Sequence, residues 1–365
     1  MAPSMFNNDP IAVRRAVYDF RAHAAIIINA NATALLQQAL ELGNTTYDPK
    51  GAAQIIYVSA RDQNTIPTYV VPQLTSLEML VTSQFGVTWT SALLQNITIP
   101  RANLAAVPQA LSPAIGFTTF DLRPFGPANV TPAVSIGLIY LIIIAFFSFT
   151  FFLPIHMKFL SPRGHPALHF YQLIIWRWLA TTGAYFFLSL GYSFVALAFQ
   201  VPFSNGPASP TEPAINPNAY GKGTFVVYWM INFLGISALG LACENVAMAL
   251  GNPWVAMWLV VWVVSNVATG FYSLDLSPAF YRWGYAWPLY NIVEASHQVL
   301  FDLHSRIGLN IGILFVWFVI NSMLFAPACY LMGWEQQRAA KKAAKKEKEW
   351  MSAMSKQRSR LGIPK

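Results

Sequence analysis

Five apolar runs in the second half of the chain, each long enough to cross a bilayer, constrain the fold more than anything else in the sequence. They lie at about 132–154, 173–199, 224–250, 253–274 and 307–332. A hydrocarbon layer of about 30 Å takes about 20 residues of helix. Lipid offers backbone amides and carbonyls no partner, so such runs are economical only as bundled helices. The sequence therefore predicts an α-helical polytopic membrane protein with five transmembrane helices over residues 131–334. Composition agrees: 10% of the 365 residues are charged, against about 25% in a soluble domain.

Residues 1–130 are of mixed character and predict a small α/β domain ahead of the membrane. Ala24 to Ala30 (AAIIINA) and Ala52 to Arg61 (AAQIIYVSAR) have the look of buried strands. Between them, Asn31 or Thr33 could cap a helix ending at Gly43. Apolar residues recur at helical spacing from Val71 to Trp89, with Pro72 in the first turn or at a kink. The proline-rich stretch 96–131 is expected to be an extended connector.

Four N-glycosylation sequons, at Asn31, Asn44, Asn96 and Asn129, fall in this domain, and no asparagine after residue 132 starts one. One sequon means little, but this clustering predicts an extracytoplasmic domain with Asn31, Asn44 and Asn96 as glycosylation sites. Asn129 is too near the membrane to be modified. The opening residues MAPSMFNNDPIAVRRAV contain neither signal peptide nor span. An exported domain needs one or the other, so a chain shortened at its N-terminus is expected, the alternative being translocation with the first span.

Charge placement gives a second view of topology. From Gly333 onward ten basic residues face three glutamates, a net +7 out of the chain's +8. A basic segment can mean nucleic acid, but beside a span it marks the cytoplasmic side. With five spans, a cytoplasmic tail (335–365) puts the N-terminal domain on the other side, where the sequons also require it. Arg338, Lys341, Lys342, Lys345 and Lys346 share one helical face and are candidates for contact with anionic lipid; a topology signal alone also explains them.

The loop after the fourth run is unusually aromatic. Tyr272, Phe280, Tyr281, Trp283, Tyr285, Trp287 and Tyr290 suggest an interfacial belt. Ile292, Ala295, Val299 and Leu303 recur at helical spacing, which predicts short amphipathic helices at or dipping into the outer leaflet. An external lid with an aromatic rim fits the same pattern.

Glu244 is the sharpest candidate for chemistry, because an ionisable group within a span is expensive and faces the bundle interior or water. Its candidate partners are Asn245, Asn266 and Arg177, and the four together are the transport-path candidates. The bland alternatives are a structural polar contact for Glu244 and an Arg177 that reaches the inner surface. Asn232, Asn266 and Asn321 fit interhelical hydrogen bonding, and Gly235, Ala238, Gly240 and Ala242 fit close helix packing. Cys243 and Cys329 sit in apolar runs and predict buried thiols without a disulfide. There is no P-loop, no H-E-x-x-H and no G-x-S-x-G. His165 and His169 flank a proline and do not form a metal pair. No catalytic residue, metal or cofactor is expected, and no ATPase activity of the chain's own.

The segments YWMINFLGISALGLACENVAMALG, WVVSNVATGFYSLDLSPAFYRWGYAWPLYNIVEASHQVLFD and LNIGILFVWFVIN, with AIIINANATALLQQAL and YDPKGAAQIIYVSARD before the membrane, resemble the fungal nitrosoguanidine-resistance membrane protein family. The resemblance covers most of the chain. It implies a membrane part similar to the type-2 membrane domain of ABC exporters and to bacterial phage-infection proteins. It implies one further span before the external domain and residence in the plasma membrane. The functional expectation is transporter-like export lowering the toxicity of small amphipathic or alkylating compounds, with a homodimer or a partner ATPase possible and no nucleic acid. The alternative is a non-transporting organiser of membrane lipid or of other membrane proteins. The family supplies no catalytic residues to carry over.

Overall fold

A computed structural model describes residues 3–95, 100–158, 169–204, 220–251 and 254–360. The N-terminal domain opens with α1 (Pro10–Tyr18), whose N-cap Asp9 accepts a hydrogen bond from the Ile11 amide at 2.9 Å. Strand β1 (Ala24–Ile28) leads to α2 (Ala32–Leu42). Asn31 stands at the N-cap of α2 without a side-chain capping bond. Gly43 ends the helix in the left-handed region at φ +66°, a conformation glycine adopts without strain. Strand β2 (Ala53–Tyr57) is antiparallel to β1, with Ala24 opposite Tyr57. A single π-type turn (Ile66–Val70) runs into α3 (Val71–Gln95), whose first turn holds Pro72.

The stretch expected to be an extended connector holds more structure than that. Helix α4 (Arg101–Ala106) and strand β3 (Phe117–Asp121) fall within it, and β3 pairs parallel with β2. A parallel pair needs a long crossover, and the segment from α3 through α4 provides it. The prolines punctuate this segment without excluding a five-residue strand of aromatic and β-branched residues. Leu36, Leu40, Val107, Ala110 and Ala114 form a small core beneath Phe85 and Trp89, and Trp89 Nε1 donates to the Ala110 carbonyl at 2.9 Å.

The membrane half begins with a short α5 (Thr131–Val134) and a break at Ser135. Then come α6 (Ile136–Lys158), α7 (Phe170–Ala198), α8 (Thr224–Leu250), α9 (Trp254–Phe271), α10 (Pro288–Phe301) and α11 (Ile307–Arg360). Among the described residues five helices are long and apolar enough to cross a membrane, and α10 is not one of them. The fifth does not stop at 332. It continues through the basic tail as one helix of 54 residues, about 80 Å long. Ala, Lys, Glu and Gln are all good helix formers, so composition changes there while backbone preference does not.

Helix α8 is the keystone, packing against α6, α7, α9, α10 and α11. It is buried without interruption from Gly235 to Asn245. A Cβ on Gly235 would lie 2.5 Å from Ile292 Cδ1, and one on Gly240 would lie 2.5 Å from the Tyr185 hydroxyl. The small residues of this run let α10 and α7 close onto it.

The N-terminal domain is joined to one end of the bundle. Arg61 pairs with Asp275 at 2.6 Å and Arg123 with Asp302 at 3.1 Å. The Tyr18 hydroxyl donates to the Asp302 carbonyl at 2.8 Å, Asn64 to that of Phe271 at 3.1 Å, and Asn129 to that of Phe199 at 2.6 Å. The ends of α7 and α9 and the start of α11 therefore lie at the domain, and the basic end of α11 at the opposite end of the bundle.

Candidate functional site

Two polar features lie within this apolar frame. The first joins α7, α8 and α11 in the half of the bundle away from the N-terminal domain. Arg177 Nη2 and Nε donate to one oxygen of Glu244, at 2.8 and 3.2 Å. Each side chain is only 3% exposed. Arg177 therefore does not reach for the inner surface; it is held inside, its guanidinium over the Phe325 ring and within 3.7 Å of Met332 Sδ. The second carboxylate oxygen, Oε2, is buried without a hydrogen-bond partner among the described residues.

The other two transport-path candidates do not join this pair. Asn245 Nδ2 donates to the Asn321 carbonyl at 2.8 Å, tying α8 to α11. Asn266 lies toward the opposite end, where its Oδ1 accepts from the Leu289 amide at 3.2 Å. That amide is one of the first donors of α10, which the helix itself cannot satisfy. Asn232 Nδ2 donates to Ser193 Oγ at 3.0 Å, joining α8 to α7. These asparagines act as interhelical hydrogen-bonding groups.

The second feature is α10 and what lies over it. A 14-residue helix spans about 21 Å, short of the hydrocarbon thickness. It is nevertheless buried along most of its length, between α8, α9 and α11 and beneath the N-terminal domain. Of the aromatic loop before it, Tyr272 and Phe280 face outward, being 60% and 76% exposed. Trp283 and Trp287 instead turn inward. Trp287 packs with Trp262 and Trp317 at centroid separations of 5.7 Å each, and Trp283 with Trp287 at 5.1 Å. The expected interfacial belt is thus partly a core cluster, because the inward edge of this loop rests on α9 and α11.

Between the N-terminal domain and α10 lies a cavity of about 40 Å³. Phe20, Arg61, Gln63, Asp275, Glu294, His297 and Arg306 are among its lining residues. Burial acts against the charged form of Asp275, but hydrogen bonds from Tyr285 and Arg61 outweigh it and hold the carboxyl below its ordinary value. Burial pushes Glu294 up to about 7 and His297 down to about 4. Sequence reasoning followed only the apolar phase of this helix and passed over Glu294 and His297. The signal was there, since they are three apart on the face opposite Ile292 and Val299; the sequence left that face to solvent, whereas here it carries the N-terminal domain.

Asn31 and Asn44 are both exposed, and Asn96 lies outside the described residues. Arg338, Lys341, Lys342, Lys345 and Lys346 are exposed along the distal part of α11, with Arg338 over the Trp334 ring at 3.8 Å. His165 lies outside the described residues, while His169 caps α7 with Gln172. Among the described residues no group of three His, Cys, Asp or Glu side chains is disposed to hold a metal ion. Cys243 and Cys329 are buried free thiols.

The chain is 28% identical over 317 residues to an uncharacterized endoplasmic reticulum membrane protein of Saccharomyces cerevisiae. The match covers 84% of this chain and 58% of that relative's length. No solved structure matches. With its apolar helices and this relative, the chain is a multi-pass membrane protein. Residues 1–323 match the family described as "Protein of unknown function (DUF3533)", and the chain belongs to that family.

Proposed function

We propose that this protein is a transporter-like membrane protein that lowers the toxicity of small amphipathic or alkylating compounds, nitrosoguanidines among them. The observation that carries this reading is the short buried helix α10. It is a polar, non-spanning element held by the Trp262–Trp287–Trp317 cluster and roofed by the N-terminal domain. A helix that ends inside a bundle leaves its terminal amides and carbonyls to be satisfied by protein or by a water-lined cavity, and interrupted helices with such ends form the substrate sites of many transporters. The resemblance to nitrosoguanidine-resistance proteins and to the type-2 membrane domain of ABC exporters supports the same reading.

In this proposal the N-terminal domain is extracytoplasmic, as the exposed sequons Asn31 and Asn44 favour, and the basic end of α11 is cytoplasmic. The yeast relative is named for the endoplasmic reticulum, so that membrane stands beside the plasma membrane as the place to look. The role needs no catalysed covalent step; energy would come from an ion gradient or a partner ATPase.

The exposed basic stripe on the distal part of α11 favours a second reading, a membrane organiser that works through anionic lipid without moving a solute. One experiment separates them. Cells with and without the protein are given a labelled nitrosoguanidine-type compound, and accumulation and survival are scored together. Lower accumulation with better survival is expected for export. Better survival at unchanged accumulation would sink export and leave the organiser.

A further inference from the structure

We propose that Glu294 is a proton-binding site at the seam between the N-terminal domain and α10, and that its charge state sets how firmly the domain is held there. This goes beyond the transport reading and does not depend on what the bundle carries.

Polar groups without hydrogen-bond partners gather at this seam. Glu294 is part-buried and makes no hydrogen bond or ion pair among the described residues, although the charges of Arg61 and Arg306 act on it. One turn along the same helix, His297 is 4% exposed, and among the described residues neither ring nitrogen has a hydrogen-bond partner. Gln63 Oε1, reaching down from the N-terminal domain, is likewise buried without a partner among the described residues. All three line the same cavity of about 40 Å³. Roughly 10–15 Å³ suffices for a water molecule with polar neighbours. The cavity is therefore a polar chamber in which a proton can reach the carboxyl group through water.

The charged groups around it decide what the proton does. Arg61 is committed to Asp275 at 2.6 Å and to the Ala22 carbonyl at 3.3 Å. Asp62 accepts from the Asn64 and Thr65 amides at 2.9 and 2.7 Å. Asp275 also accepts from the Tyr285 hydroxyl at 2.7 Å. His23 lies near Arg61, Asp62 and Asp275, and Tyr290 lines the wall from α10. The end of α5 presents Val134, and the break after it Ser135, neither of them charged. Arg306, just ahead of α11, is exposed and has no ion pair among the described residues. A neutral Glu294 leaves this arrangement undisturbed. A charged Glu294 adds a third carboxylate to the chamber of Asp62 and Asp275. It competes for Arg61 or draws Arg306 inward, and either response loosens the Arg61–Asp275 tie between domain and bundle.

The carboxyl rises from 4.5 to about 7, chiefly through burial. The folded protein thus holds the proton more tightly than the unfolded chain. The stabilisation is full below about 4.5 and lost as pH rises through about 7. Between pH 5.5 and 8.5 the unfolding equilibrium constant should increase on the order of 30-fold. The test follows unfolding of the full chain in mixed micelles by tryptophan fluorescence. Wild type should weaken across that window, Glu294→Gln should stay flat, and His297→Gln should keep the wild-type slope. The same slope in Glu294→Gln, or its loss in His297→Gln alone, would overturn the assignment. If Glu294→Gln does not fold, infrared difference spectra of the wild type decide. A protonated-carboxyl band that fades with a midpoint between pH 6 and 8 supports the site, and a band fully lost by pH 5.5 refutes it.

Discussion

Glu244→Gln is the most informative single substitution in the bundle. Arg177 donates twice to one Glu244 oxygen, at 2.8 and 3.2 Å, and both side chains are 3% exposed. Neither can turn to water when its partner is removed. Removing one member of a buried pair costs about 3–5 kcal/mol, because the other charge is left uncompensated. Glutamine keeps an acceptor for one guanidinium bond, so the lower end of that range, about 3 kcal/mol, is expected. Arg177→Met strands the carboxylate and should cost at least as much. Replacing both with methionine removes both charges and should recover most of the loss, leaving about 1 kcal/mol or less. The assay is a double-mutant cycle on unfolding in mixed micelles. If each single substitution costs under about 1 kcal/mol and the two simply add, the pair is not sealed from water and the reasoning fails. The double variant also speaks to function. If it folds and still lowers compound accumulation, the pair is a structural contact; if it folds and does not, the pair belongs to the path.

Other outcomes follow from the same geometry. Gly235→Leu should destabilise by about 1–3 kcal/mol through collision with Ile292, read as a lower unfolding midpoint, and Ile292→Ala should partly relieve it. On the proposed extracytoplasmic placement of the N-terminal domain, Asn31→Gln and Asn44→Gln should each give a downward gel shift that glycosidase treatment abolishes, and no shift would count against that placement. The carboxyl of Asp275 is held low, so its contribution is present above about pH 3.8 and lost as pH falls further. Asp275→Asn should therefore cost most near neutral pH, about 1 kcal/mol for a carboxylate that is 43% exposed, and little at pH 3.

The spans were legible because length and hydropathy alone decide them, and Thr224–Leu250 falls where the apolar run placed it. Strand β3 was hidden by its surroundings: Pro113, Pro124 and Pro127 signal a connector, and only pairing with β2 makes Phe117–Asp121 a strand. The fifth span was drawn to end where hydropathy falls, which reports the membrane boundary, and the spacing of Arg338 to Lys346 already pointed to helix beyond it; that span and tail are one unbroken helix is what only the structure shows. Arg177 was among three possible partners for Glu244, since both lie near the same face of the membrane in neighbouring runs. Choosing among the three required knowing which side of α8 faces α7. The Trp262–Trp287–Trp317 cluster and the Glu294 chamber were out of reach for a related reason. Whether a residue on a loop or on a short amphipathic helix faces lipid, water or protein is decided by the element laid against it. Nothing within 279–303 records that the N-terminal domain covers this segment.

These packing relations also say where the molecule can move. Sliding α7 along α8 would have to carry Arg177 and Glu244 together or separate them, at about 3–5 kcal/mol. It would also drag Tyr185 across Gly240, where there is no room for a methyl group. Helix α9 has no such tie: among the described residues none of its side chains forms an ion pair, whereas α7 and α8 are joined by Arg177 and Glu244 and α8 and α11 by Asn245 and the Asn321 carbonyl. Its links to α10 are the Asn266–Leu289 bond, the Trp287–Ser265 bond and the tryptophan cluster. The least costly rearrangement therefore leaves α7, α8 and α11 as one body and displaces α9, with the loop at Asp275, away from Arg61. Such a displacement would open the Glu294 chamber along the wall formed by Thr269 to Asp275 and leave the Arg177–Glu244 pair closed.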